Sequence, residues 1–170
     1  MLIDKTPWFE RKFQFGLEKG MLPFYFERME GTVIRLEKKV NGVPDNILSN
    51  KLDSKWSVKQ NIGHLAEVEE ISLKRLDEIE QGISPMSPAV FEPRGDYNAM
   101  SVVEVIRLFS DNRKKTFTRY ASLSNSDLEK SSLHPRLKVM MTPVDLALFH
   151  AEHDDHHLVR INEILQTLLR

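Results

Sequence analysis

The sequence contains no cysteine, which excludes a disulfide framework, a zinc site with thiolate ligands and a cysteine nucleophile. It also has no run of about 20 apolar residues, so we expect no membrane-spanning helix. Lysine and arginine (24 residues) nearly balance aspartate and glutamate (25 residues), and they form no cluster of the kind that follows a phosphate backbone. We therefore predict that neither a nucleic acid nor a membrane is a partner.

Residues 1–5 lack the apolar core of a secretory signal peptide, which together with the absence of cysteine favours a cytoplasmic location. The chain has 170 residues, of which 41% are hydrophobic. A chain of this size can bury a core of its own. We expect a single domain over residues 1–170.

Glycine and proline are scarce, with 7 and 8 residues, and they stand at the boundaries of long segments with helical three-and-four apolar spacing. Capping boxes, Ser57 with Gln60 and Ser101 with Glu104, open two of these segments, and Thr142 with Pro143 opens another. The predicted helices cover residues 23–41, 57–82, 101–121 and 142 to the C-terminus. We predict a short helical turn near residue 125.

No segment has a convincing strand pattern, and the connection over residues 43–55 is polar. Residues 83–100 contain three prolines and one glycine, which predicts a long irregular crossover between the second and third helices. Four amphipathic helices of this length predict an all-α fold, a four-helix bundle.

Four of the six histidines lie within residues 150–157 of the last helix. His153 and His157 are four residues apart and share one face of that helix. The face is otherwise aliphatic, since its members are Leu146, His150, His153, His157, Ile161, Ile164 and Leu168. An imidazole on a buried face needs a polar partner. The partner is either a metal ion, which satisfies several imidazoles at once, or hydrogen-bonding groups of the core.

A catalytic metal site usually takes three protein ligands and keeps one open position. His153 and His157 supply two, and only His64 and His134 lie outside the last helix. His64 lies within the second helix beside Val68 and Ile71, whereas His134 precedes a proline in a loop where we expect a solvated ring. We therefore predict that His64, His153 and His157 bind the metal.

The neighbouring polar residues have alternative assignments. His150 is either an alternative ligand or a proton carrier, and His156 is a surface residue or lies behind the ligands. Glu67 and Glu152 either orient a ligand imidazole, act as a base, or lie on a solvated helix face. The solvated face is the preferred interpretation of both glutamates and of residues 154–155. The catalytic residues are not identified.

The sequence resembles the DinB/YfiT-like superfamily in segments spread over nearly the whole chain. The resemblance lies in residues 8–13 (WFERKF), 56–65 (WSVKQNIGHL), 75–76 (RL), 134–137 (HPRL) and 151–161 (AEHDDHHLVRI). It is closest to the branch with the signature EHDDHHLxRI. The resemblance implies a bundle with up-down-down-up topology and one divalent metal on three histidines, which correspond by position to His64, His153 and His157.

The resemblance also implies a homodimer and chemistry on small molecules. Members include bacillithiol S-transferases, mycothiol-dependent enzymes and proteins described as metal-dependent hydrolases. We predict a metal-dependent thiol S-transferase acting on small electrophiles. The alternatives are a hydrolase of small esters or amides and a non-catalytic, stress-associated metal-binding dimer. Zn or Ni is the expected ion, with Fe, Mn or Co as further candidates. A thiol substrate would have to be a low-molecular-weight compound, because the chain has no thiol.

Overall fold

The computed structural model describes residues 4–89 and 92–169. Within these ranges the helices are α1 (Leu22–Val40), α2 (Asp45–Ser49), α3 (Val58–Glu80), α4 (Val102–Ala121) and α5 (Pro143–Leu168). The capping boxes at Ser57 and Ser101 are formed, and Thr142 caps α5 in the same way. The predicted all-α fold is confirmed, and so are the four long helices.

The order of contacts along the helices gives their directions. Residue numbers rise together where α1 meets α5, as in the contacts of Arg28 with Glu152 and of Lys39 with Asn162, so these helices are parallel. The contacts of α3 with α4 also rise together, whereas those of α3 with α5 run in opposite senses. In chain order, the four long helices α1, α3, α4 and α5 therefore run up, down, down and up, as predicted.

The core has two apolar clusters separated by a layer of buried polar side chains. One cluster is centred on Leu36, Ile62, Leu65, Phe109 and Ile161. The other is centred on Met29, Leu76, Ile79, Met141 and Val144. The layer between them is called the polar layer below. It consists of five side chains that are at most 2% exposed: Thr32, Glu69, Arg113, Thr116 and Asp154. Each long helix contributes at least one residue to this layer.

Arg113 holds the polar layer together. Its Nε donates to Glu69 Oε1 at 2.6 Å, and its Nη2 donates to Asp154 Oδ2 at 2.8 Å. Thr116 donates to Glu69 and Thr32 donates to Asp154, so both carboxylates receive a hydroxyl as well as the guanidinium. A buried charge is tolerated only when it is paired and hydrogen-bonded in this way.

The predicted crossover between α3 and α4 runs back along α3. Near the C-terminal end of α3, Ser87 N donates to Glu78. Further along, the Tyr97 hydroxyl donates to Glu67 Oε1 at 2.6 Å, and its ring packs directly on Gly63. Because α3 and α4 are parallel, the connection must travel the length of the helices, and these contacts fix its path.

Gly63 leaves the space that the Tyr97 ring occupies. A Cβ at position 63 would lie 2.2 Å from Tyr97 Cδ2, far inside van der Waals contact. We expect Gly63→Ala to lower the free energy of unfolding by about 1–3 kcal/mol, because the ring and the crossover must move. Gly31→Ala is the matched control, since a Cβ there meets only Arg35 Nε at 4.0 Å. That change should raise stability by about 0.5–1 kcal/mol in urea unfolding. Equal effects of the two changes would contradict this account.

Some local features differ from the predictions. The connection over residues 43–55 contains α2, which is anchored by Leu48 in the core and by Ile47, which packs against the same cluster. Ser132–Leu133 (β1) pairs antiparallel with Met140–Met141 (β2) in a two-residue ladder. Residues 1–3, part of the segment judged for a signal peptide, and residues 90–91 of the crossover lie outside the described ranges. No described helix is long and apolar enough to cross a membrane.

Candidate metal centre

Three histidines from α3 and α5 converge between the helices. One ring nitrogen from each of His64, His153 and His157 lies within 4.8 Å of the others. The Nε2 atoms of His153 and His157 are 3.2 Å apart. A proton or a cation must lie between two ring nitrogens at this distance, since facing lone pairs repel. One proton satisfies two of the rings, whereas a metal ion satisfies all three.

All three imidazoles are in a state that suits metal binding. Burial lowers the pKa of His64 to about 4, and the carboxylate of Glu67 opposes this effect. Burial and the neighbouring histidines also lower the pKa values of His153 and His157 well below the ordinary value. The rings are therefore neutral at pH 7, and a neutral imidazole offers a lone pair to a metal without losing a proton first.

Asn61 sets the orientation of His157. The amide nitrogen of Asn61 donates to the carbonyl of Ser57 at 2.8 Å and to that of Trp56 at 3.3 Å. Its Oδ1 therefore faces His157 Nδ1, at 2.8 Å. Because this oxygen can only accept, Nδ1 carries the hydrogen of His157 and Nε2 has the free lone pair. Hydrogen bonds of this kind are typical of metal-binding histidines.

Two ring nitrogens of the trio lack partners within the protein. Among the described residues, His64 Nδ1 and His153 Nδ1 are buried and make no hydrogen bond. An unsatisfied buried polar atom costs about 1–3 kcal/mol, so a cluster of such rings is costly unless something else binds it. A set of three imidazoles suits Zn, Ni, Co, Fe or Cu. The residues present thus fit a divalent transition metal ion.

Aromatic rings enclose the trio on two sides. Trp56 lies 4.7 Å from the His64 ring and stacks parallel to His157, with 6.0 Å between centroids. Trp8, from the segment before α1, lies 5.3 Å from the His153 ring. These rings keep water from part of the site, which strengthens electrostatic interactions there.

The trio opens onto a cavity of about 1060 Å³ between the helices, the N-terminal segment and the crossover. From the crossover, Pro88, Ala89, Glu92 and Pro93 form part of the wall. The volume is at the upper end of the range for small-molecule sites, about 300–1,000 Å³. The cavity can therefore hold a substrate next to the histidines.

His150 lies on the same face of α5 but outside the trio. Its Nε2 lies 3.0 Å from Glu69 Oε1, and its Nδ1 lies 3.2 Å from the Ser72 hydroxyl. Both ring nitrogens are therefore engaged by the protein. This arrangement argues against the alternative in which His150 is a ligand, and it connects the polar layer to the cavity wall.

The two glutamates considered as orienting groups bind other parts of the chain. Glu67 accepts from Tyr97 and from the backbone of residues 94–95, so it anchors the crossover. Glu152 accepts from Arg11 and from Arg28, and ties the N-terminal segment and α1 to α5. Neither glutamate lies on the solvated face that we predicted.

Two other predictions are wrong for a related reason. Asp154 was expected in solvent but is fully buried against Arg113 in the polar layer. His134 was expected to be solvated but is 3% exposed, because its Nδ1 accepts from the backbone nitrogens of Arg136 and Leu137 and turns the ring inward. His156 is half-buried beside Trp8 and lies outside the trio. In each case the partner that keeps the side chain out of solvent is distant in sequence or lies in a tight turn.

Asn61 and Trp8 are site residues that were not identified from the sequence. Asn61 stands three residues before His64, on the same helix face, and this spacing is the signal that could have marked it. Trp8 reaches the site from an irregular segment, where no periodic pattern exists to reveal its position.

Comparison with known proteins gives the family. The model of the DinB superfamily matches residues 28–161. Among solved structures, the chain is similar to YfiT from Bacillus subtilis, described as a probable metal-dependent hydrolase with an unusual four-helix bundle topology. The TM-score is 0.78 at 18% identity, over 93% of each chain. A search of curated proteins gives no significant match. The chain belongs to the DinB superfamily.

Proposed function

We propose that the protein binds one divalent metal ion through His64, His153 and His157 and uses it as a thiol S-transferase on small electrophiles. The observation that carries the metal proposal is the convergence of three neutral ring nitrogens within 4.8 Å. Three neutral ligands leave the charge of the ion uncompensated. When bound, such an ion lowers the pKa of a thiol or of water at its open position.

Residues of the chain would position the reactants. Asn61 holds His157 with Nε2 free, and Trp56 and Trp8 limit the entry of water. In the transfer, the thiol loses its proton to solvent and its sulfur forms a bond to the electrophilic carbon. The bond from that carbon to the leaving group breaks, and the leaving group takes the electron pair.

The size of the cavity and the composition of the chain support the transferase proposal. A cavity of about 1060 Å³ has room for a thiol cosubstrate together with an electrophile. The chain has no cysteine, so a thiol nucleophile must come from outside the protein. Orienting two bound reactants is itself a large source of rate enhancement.

Hydrolysis of small esters or amides is the second candidate. It is favoured by the similarity to YfiT, which is described as a probable metal-dependent hydrolase. Hydrolysis needs only water as the second reactant, so it would proceed without any added thiol. The non-catalytic alternative, a stress-associated metal-binding dimer, predicts no turnover with either class of substrate.

A pair of assays tests these proposals. Metal-loaded protein is mixed with 1-chloro-2,4-dinitrobenzene and, in turn, bacillithiol, mycothiol, glutathione and cysteine, and thiol consumption is followed. We expect at least one thiol to react about tenfold or more faster than with chelated protein, since a positioned and activated nucleophile gains at least this much. The same preparations receive 4-nitrophenyl acetate without thiol. No metal-dependent consumption of any thiol would overturn the transferase proposal, and ester turnover alone would establish the hydrolase.

The other expectations from the sequence stay predictions. They are a single domain over residues 1–170, a homodimer, a cytoplasmic location, and Zn or Ni as the bound ion.

A further inference from the structure

The charged side chains that line the cavity are nearly all cationic. Among the described residues, the lining contains one carboxylate, from Glu92, against Lys5, Lys51, Lys55, Arg75, Arg136 and Arg160. The chain as a whole has a net charge of only −1, so this concentration is local. A cleft lined by one sign of charge attracts ligands of the opposite sign.

Two of these cations, Arg75 and Arg136, are at least half-buried arginines without a carboxylate of the described chain in salt-bridge contact. Arg75 is 6% exposed, and its Nε and Nη2 both donate to the carbonyl of Ser87 at 3.1 and 3.0 Å. Arg136 is half-buried, and its guanidinium carbon lies 5.0 Å from the centre of the Phe9 ring. No salt bridge of 4.0 Å or less joins either guanidinium to another described residue. Burial is the main cause that lowers the pKa of both arginines, to about 10 for Arg75; the nearby carboxylate of Glu78 opposes this effect on Arg75, and Arg136 adds to it.

His134 adds a hydrogen-bond donor to these charges. Its Nδ1 accepts from two backbone nitrogens, so the hydrogen of the neutral ring is on Nε2. Within the described ranges, Nε2 is buried and has no partner. His134 and both arginines line the cavity that holds the histidine trio. His134 thus offers an N–H without an acceptor near two guanidinium groups that form no salt bridge with any described residue, an arrangement that an oxyanion would complete.

Aromatic rings lie between this group and the trio. The His134 ring packs edge-on against Phe149, with 5.4 Å between centroids. Phe149 contacts Trp8 at 5.2 Å, and Trp8 contacts His153 at 5.3 Å. The cavity thus presents Arg75, His134 and Arg136 at one position, aromatic surface in the middle and the three imidazoles at the other.

We propose that Arg75, His134 and Arg136 form an anion-binding subsite, and that the substrate is a small molecule with a carboxylate or phosphate group separated from its reactive atom by an apolar part. The assignment of this group to the substrate rests on the proposed function, whereas the subsite itself does not depend on the metal. Arginine binds such groups through its planar array of donors, and the histidine adds a fixed third donor.

Anion binding to metal-free, full-length protein tests the proposal. Chelation removes the alternative in which the anion binds a metal ion. The chain has two tryptophans, Trp8 and Trp56, and both line the cavity, so their fluorescence reports on binding. Inorganic phosphate and benzoate are titrated separately to about 50 mM, which covers the weak affinities of small anions. Saturation with phosphate, benzoate or both is expected, and the stronger probe identifies the preferred anion.

Variants connect binding to the subsite. Arg136→Gln should raise the Kd about tenfold or more, the usual effect of losing a hydrogen bond to a charged group. His134→Asn keeps an acceptor for the backbone turn but removes the Nε2 donor, and it should also weaken binding. Arg107→Gln is the matched control, because Arg107 has an 82% exposed side chain on the outer face of α4. Its Kd should change less than about twofold.

Two results would overturn the subsite: no saturable binding to wild-type protein, or equal weakening by Arg136→Gln and Arg107→Gln. The same titrations on metal-loaded protein separate the two proposals. Binding that appears only with metal, and is insensitive to Arg136→Gln, refutes the subsite and leaves the metal centre in place. Binding without metal, in a protein that also takes up no metal ion when one is supplied, supports the subsite and refutes the proposed function.

Discussion

Protein in which His157 is replaced by alanine is expected to lose its metal. The wild-type chain should retain about one ion per chain after purification, as expected for a site with three protein ligands. His64→Ala and His157→Ala should each weaken binding by more than about a hundredfold, because even loss of a residue that only orients a ligand costs about 10–100-fold. Elemental analysis of protein made without a metal-affinity tag is the measurement, since a nickel resin could load the site.

The matched control for this experiment is His156→Ala. His156 neighbours His157 in sequence but lies outside the trio and packs beside Trp8. The His156→Ala change removes an imidazole from the same helix and should leave the number of metal ions per chain unchanged. Asn61→Ala should give an intermediate result, a loss of about 10–100-fold with the three ligands intact. Full retention of metal by both His64→Ala and His157→Ala would refute the ligand assignment.

The second large effect is expected on stability, from Arg113→Met. This change leaves Glu69 and Asp154 in the polar layer without their guanidinium partner, although both are fully buried. An unpaired buried charge costs about 3–5 kcal/mol, so we expect a decrease of this size in the free energy of unfolding at pH 7. Urea unfolding followed by circular dichroism measures it.

Two comparisons distinguish charge from packing in the Arg113→Met result. Arg107→Met makes the same replacement on the exposed face of α4 and should change stability by no more than about 0.5 kcal/mol. Combining Arg113→Met with Glu69→Gln and Asp154→Asn removes the stranded charges and should restore part of the loss. If Arg113→Met alone lowered the free energy of unfolding by less than about 1 kcal/mol, the burial of Glu69 and Asp154 would not depend on Arg113.

The effect of Arg113→Met should also depend on pH. Burial alone would raise the pKa of Glu69, but His150 and Arg113 together lower it to about 2, from an ordinary 4.5. A carboxyl group with a lowered pKa stabilises the folded state above the ordinary value, and this contribution is lost as the pH falls towards the folded-state value. The stability difference between wild type and variant should therefore shrink between pH 4.5 and 2. A difference that stays constant would indicate lost packing and not lost charge.

The helices could be predicted because their signals are local. Ser57 with Gln60, and Thr142 with Pro143, mark helix starts within four residues, and the bundle contains helices where these signals place them. The trio is an intermediate case. The spacing of His153 and His157 places two rings on one face, but their approach to His64 depends on how α3 and α5 pack.

The polar layer could not be predicted, because the burial of each charged member depends on a partner from another helix. Asp154 has the local appearance of a solvated residue, next to other charged residues on α5. Its burial is made possible by Arg113, forty-one residues earlier, and by the hydroxyl of Thr32 on α1. In the same way, nothing near His134 in the sequence indicates that the ring turns away from solvent. Long-range pairing of polar groups leaves no periodic pattern, and for this reason sequence analysis misses it.

The parallel course of α3 and α4 has a consequence for the wall of the cavity. Parallel neighbours cannot be joined by a tight turn, so the connection must run back along α3, where Ser87 and Tyr97 hold its two ends. Between these anchors, Pro88, Ala89, Glu92 and Pro93 face the cavity without belonging to the helical core. Substitutions at these four positions would therefore alter the wall of the cavity while leaving the three histidines and the packing of the long helices in place.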